Sequence, residues 1–66
     1  MINGTKIRDL RDEIKISQED FAVDVGVTQV HLSHLERGMK QPSVEVFKRI
    51  ADRLHVTMDE LMMDND

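Results

Sequence analysis

The chain has 66 residues, 39% of them hydrophobic, with two phenylalanines, no tyrosine, tryptophan or cysteine, and 9 Lys/Arg against 13 Asp/Glu for a formal charge of -4. A chain this short allows one domain, residues 1–66, that buries only about 60% of the surface exposed by its unfolded form; without cysteine, disulfide scaffolds and thiolate metal sites are excluded. No apolar run approaches the ~20 residues of a membrane span and no signal-peptide layout opens the chain, so a cytoplasmic protein without a membrane partner is expected.

Apolar residues recur at three- and four-residue steps and strict alternation is rare, which predicts an all-α, compact bundle of five helices. The first, about 5–14, carries Ile7 and Leu10 on one face. The second, 17–25, opens on Ser17 and presents Phe21, Ala22 and Val25. Ser17 to Asp20 has capping-box spacing, in which an acidic residue reaches back to the cap and sets negative charge near the positive helix end. The third, 28–37, is capped by Thr28 and turns Leu32 and Leu35 to one side. The fourth, 43–54, follows Pro42, is capped by Ser43 and holds Phe47, Ile50, Ala51 and Leu54. The fifth, 57–63, starts on a second capping box, Thr57 to Glu60, and contributes Leu61. Ile16, Val27, Val44 and Val56 fall at the joints, where an apolar residue beside a cap plugs the core. Residues 64–66 are expected to fray.

Only Gly26 and Val27 separate the second helix from the Thr28 cap of the third. Glycine takes the positive φ such a corner demands, which would cost another residue about 1–2 kcal/mol. A short glycine turn joining two helices steeply is a helix-turn-helix unit, here about 17–37. Projection at about 100° per residue turns Val30, Ser33, His34, Arg37 and, at the margin, Gln29 away from the leucines. That face has an amide, a valine, a hydroxyl and an imidazole but no carboxylate. Glutamine pairs bidentately with adenine, valine meets a thymine methyl, and serine and histidine donate or accept. Net acidity argues against a nucleic-acid partner, yet the acid is concentrated in Glu19 to Asp24 and in the tail, and a surface of Gly26 to Leu35 with Arg37 and Lys40 stays neutral to positive.

Six spaced motifs, Ile7-Arg-x-Leu-Arg11, Ile16-Ser-Gln-Glu-x-Phe-Ala22, Val25-Gly-Val-Thr28, Leu32-x-x-Leu-Glu-Arg-Gly38, Gln41-Pro-Ser43 and Val56-Thr-x-Asp-Glu-Leu61, resemble the phage repressor and Cro type helix-turn-helix family, the xenobiotic-response-element-like regulators. The resemblance implies a five-helix domain that binds double-stranded DNA, normally as a homodimer on a palindromic operator. It implies that Gln29, Val30, Ser33 and His34 read bases, and that Gln18, Thr28, Arg37 and Lys40 hold phosphates. It gives Arg11 and Glu36 a structural role, as an ion pair joining the first helix to the end of the third. Lys15 and His55 stand where many relatives carry glycine just past a helix, so each is expected in a left-handed conformation.

The other chemistry-bearing residues have blander explanations. His31 and His34 share a helix but lack a third ligand, so no metal is assigned. Asp12-Glu13, Glu19-Asp20 and Asp59-Glu60 fit capping and solubility, so no catalytic residue and no cofactor are assigned either. Val46, Met58, Leu61, Met62 and Met63 are the apolar residues expected at a two-fold dimer contact. The reading is a sequence-specific transcriptional regulator, a repressor rather than an activator. Its rivals are a restriction-modification controller or antitoxin-type regulator and, from another class, a module that holds a protein partner without binding DNA.

Overall fold

The computed structural model describes residues 2–62. These form four α-helices, α1 (Gly4–Glu13), α2 (Gln18–Val25), α3 (Gln29–Glu36) and α4 (Val44–Leu54), and one turn of 3-10 helix, Asp59–Leu61. Each α-helix starts on a side chain that accepts from the backbone three residues on: Asn3 from Lys6, Ser17 from Asp20, Thr28 from His31 and Ser43 from Val46. Such caps satisfy a donor that the helix itself leaves free. Among the described residues no helix is long and apolar enough to cross a membrane.

One device also ends all four. Lys15, Gly26, Gly38 and His55 take positive φ, at 57°, 77°, 76° and 58°. The next N–H then reaches back five residues, from Ile16 to Arg11, Val27 to Ala22, Met39 to His34 and Val56 to Ala51. This left-handed cap closes carbonyls that would otherwise lack partners. It also throws the following apolar residue inward: Ile16, Val27 and Val56 are half-buried against the core, as expected of joint residues, while Met39 is 60% exposed. Val44, expected to plug a joint as well, is 77% exposed. It is the first residue of α4, directly after the Ser43 cap and two turns before Ala51, at the end of the helix that the core does not reach.

The core contains Ile7 of α1, Phe21, Ala22 and Val25 of α2, Leu32 and Leu35 of α3, Ile50, Ala51 and Leu54 of α4, and Leu61, with Ile2 added from the N-terminal segment. Full burial of an aliphatic side chain of this size stabilises by about 1.5–3 kcal/mol. The helix pairs α2·α3, α1·α3, α2·α4 and α1·α4 pack around this cluster.

The fifth helix expected over 57–63 is not formed; the segment makes one 3-10 turn instead. Thr57 does accept from the Glu60 N–H, but Leu61 and Met62 bond only three residues back, to Met58 and Asp59. Met62 then runs extended and forms an antiparallel bridge with Ile2, and the Leu61 carbonyl accepts from the Asn3 N–H at 2.6 Å. Pairing with the Ile2–Asn3 segment thus requires an extended Met62, which a continuing helix cannot supply. Met63 and the 64–66 end lie outside the described residues.

Candidate nucleic-acid interface

The outer face of α3 is set by its inner one. Leu32 and Leu35 are completely buried, and the helical period then leaves Gln29 and Val30 exposed and Ser33 and His34 half-buried. Val30, at 66% exposure, is an apolar side chain the fold does not use. Thr28 is exposed although its hydroxyl caps the helix. Arg37 and Lys40 are exposed in the loop that follows. Gln18, at the start of α2, is half-buried.

The corner before α3 is fixed from both sides. Gly26 has φ +77°, and an added Cβ would lie 2.8 Å from a guanidinium nitrogen of Arg49. Arg49 pairs with Glu45 one turn earlier at 2.6 Å, and Arg53 of α4 donates to Asp24 of α2 at 2.9 Å. Both pairs are solvent-accessible, so each adds at most about 1 kcal/mol; the first lies within α4 and places the Arg49 guanidinium beside Gly26, and the second ties α4 to α2 near the turn.

Beneath α3 lies a polar network. Arg11 Nε and Nη2 donate to Glu36 Oε2 and Oε1 at 2.8 and 3.2 Å, and Arg11 Nη1 donates to the Ile16 carbonyl at 2.9 Å. Both residues are over nine-tenths buried. The Glu36 hydrogen bond holds the Arg11 guanidinium above its ordinary pKa and outweighs the burial that acts in the other direction. Gln18 Nε2 donates to Glu36 Oε1 at 3.2 Å, and Gln18 Oε1 accepts from Gln29 Nε2 at 3.4 Å. Among the described residues no buried side-chain nitrogen or oxygen lacks a partner. The outcome is a relay from α1 through Glu36 and Gln18 to Gln29 at the surface. It uses one Gln29 N–H; among the described residues the other N–H and the carbonyl oxygen have no hydrogen-bond partner.

The sequence singled out Arg11, Gln18, Gln29 and Glu36 separately; the structure brings them together, and the expected Arg11–Glu36 pair is formed. The expected dimer contact fares less evenly. Leu61 is a correction: it is fully buried in the chain's own core, because the Asn3 bond to its carbonyl folds the 3-10 turn inward. Val46 and Met58 are half-buried against the core, and Met62 is 40% exposed. Met63 lies outside the described residues. The sequence reading missed Gly4. It is buried, and a Cβ there would collide with the Leu35 carbonyl oxygen and come within 2.6 Å of that of Glu36. The start of α1 thus abuts the end of α3; Asn3-Gly4 was the available signal, but it reads as a turn.

Two helices joined by a left-handed glycine, the second turning a polar, carboxylate-free face outward, define a helix-turn-helix fold. A family model described as helix-turn-helix matches residues 7–61, and the chain belongs to that family. It is 36% identical over 58 residues to the uncharacterised HTH-type transcriptional regulator Rv0474 of Mycobacterium tuberculosis, a match that covers 88% of this chain and 41% of the relative. The chain therefore spans less than half the length of that relative. It is 32% identical over 62 residues to the control protein C.MunI of a Mycoplasma species, covering 92% of this chain and 84% of that one. Among solved structures, the P22 c2 repressor in complex with a synthetic operator superposes with a TM-score of 0.90 at 29% identity, covering 98% of each chain.

Proposed function

We propose that this protein is a cytoplasmic, sequence-specific DNA-binding transcriptional regulator, a repressor rather than an activator, that inserts α3 into the major groove. The observation that carries the reading is the outer face of α3, where Gln29, Val30, Ser33 and His34 stand free of carboxylates while the leucines are consumed by the core. In this reading those four side chains meet base edges. Gln29 has one N–H and its carbonyl oxygen to offer adenine, with its second N–H held by Gln18. Gln18, Thr28, Arg37 and Lys40 hold phosphates and set register.

Two protomers, joined through Val46, Met58 and Met62, would set their α3 helices one turn of DNA apart, about 34 Å, on a pseudo-palindrome. Selection of bound duplexes from a random pool tests this. Recovery of an inverted repeat with that half-site spacing is the expected result; recovery of unrelated sequences at every round would defeat it. The likeness to C.MunI favours one narrower reading, a controller of restriction and modification genes. The neighbouring genes decide it, since a controller is expected beside a methyltransferase and an endonuclease.

A further inference from the structure

The N-terminal segment touches three separate parts of the fold. The Ile2 side chain is 97% buried among core residues, the Asn3 N–H bonds the Leu61 carbonyl, and Gly4 lies against the terminal carbonyls of α3. A fourth contact reaches the Arg37–Gln41 loop: the Ile2 N–H donates to Gln41 Oε1 at 3.0 Å. The first half of that loop is fixed locally, by Gly38 N–H to Leu35 and Met39 N–H to His34. The second half is not. Among the described residues the Gln41 bond is the one hydrogen bond that ties Lys40 or Gln41 to anything else. A cleft of about 270 Å³, with Asn3, Thr5, Arg37 and Gln41 in its walls, otherwise separates segment and loop.

We infer that Ile2–Gly4 is a positioning strap for the phosphate-holding loop, with Gln41 as its point of attachment. The inference rests on the DNA-binding reading of α3 and its loop. A loop that is ordered before a duplex arrives loses less freedom on binding, so its cations act at full strength. Linkage makes the effect reciprocal: if a docked strap favours DNA binding, bound DNA must favour the docked strap. Gln41 thus acts through the loop, without touching DNA itself.

The test uses the whole chain with a random-sequence duplex and, separately, its selected operator. Gln41→Met removes the acceptor, keeps the side-chain volume and lies on the surface, so it folds. It is expected to weaken binding to both duplexes alike, by about 2- to 10-fold, the range of one net hydrogen bond. Exchange of the Asn3 amide, which reports strap docking, is expected to slow several-fold when either duplex is added to the parent protein, and to be unaffected by DNA in Gln41→Met. Ile2→Val loosens the same strap through the side chain that anchors it in the core, and removes too little volume to unfold the chain. Combined with Gln41→Met it is expected to cost no more affinity than the worse single variant, whereas additive losses would make Gln41 a direct phosphate ligand and overturn the proposal. Intact binding with unchanged Asn3 exchange overturns the strap alone. Failure of the parent protein to bind any duplex overturns the DNA-binding reading and the strap with it.

Discussion

At the residue scale, two side chains hold conformations that suit glycine better. Lys15 and His55 sit at φ 57° and 58°, each closing a helix where a left-handed residue is required. Such a position costs an L-residue about 1–2 kcal/mol, and glycine recovers it less its own greater loss of freedom on folding. Lys15→Gly is therefore expected to stabilise by up to about 1 kcal/mol, and His55→Gly by less, because histidine tolerates this region better. Urea unfolding midpoints at constant slope measure both. Gly4 is the reverse case. In Gly4→Ala the new methyl meets two backbone carbonyls of α3, which have no rotamer to escape into. A loss of about 1–3 kcal/mol is expected; thermal unfolding that is unchanged would mean that α1 and α3 do not abut as described.

At the element scale, what could be read ahead was whatever the chain encodes locally. Ser17, Thr28 and Ser43 mark helix starts by their own chemistry, and Lys15 and His55 were legible as left-handed caps from the resemblance alone, because many relatives carry glycine at those places. What could not be read was set by distant partners. Thr57 to Glu60 carries a sound start signal, yet the Ile2–Asn3 segment, far away in sequence, pairs with Leu61 and Met62 and holds Met62 extended, which ends the helix after one turn. The burial of Leu61 and the exposure of Val44 follow from packing, not from spacing. The pairing of Gln18 with Gln29 was likewise hidden, since it depends on the angle between α2 and α3.

If α3 reads bases as proposed, that relay lets α1 act on the base-reading face from beneath it. Arg11→Ala would leave Glu36 buried and uncompensated, a loss of about 3–5 kcal/mol that is most of the stability of so small a chain. Its DNA affinity should fall with the folded fraction, and would be misread as a lost contact. Replacing both partners by methionine separates the effects. Folding is expected to recover, because a buried ion pair is often no better than well-packed apolar residues. Base preference is not, because Gln18 loses the carboxylate that holds it and so frees Gln29. Binding to the operator and to variants changed at single base pairs, alongside thermal melts, checks this; full recovery of both properties would mean that the relay does not orient Gln29.

At the scale of the whole molecule, the open question is how a chain of charge -4 approaches a polyanion. Glu19 and Asp20 lie in the first turn of α2, and Asp59 and Glu60 in the 3-10 turn, whereas α3 has no carboxylate until Glu36, which is buried and paired. On the proposed reading the surface offered to DNA carries Arg37 and Lys40 as exposed cations on a chain that is acidic overall. Affinity then depends less on counterion release and more on base-edge contacts than in a basic domain. For a dimer with two such cations per protomer, log affinity against log salt is expected to fall with a slope of roughly -3 to -4. Lys40→Ala, present twice, is expected to flatten that slope by about 2 and to weaken all sequences alike. Gln29→Ala is expected to leave the slope unchanged and to relax preference at one base pair of each half-site. Equal losses across sequences for both variants, or a slope as steep as that of a strongly basic domain, would mean that the division between base-reading helix and phosphate-holding loop is drawn in the wrong place.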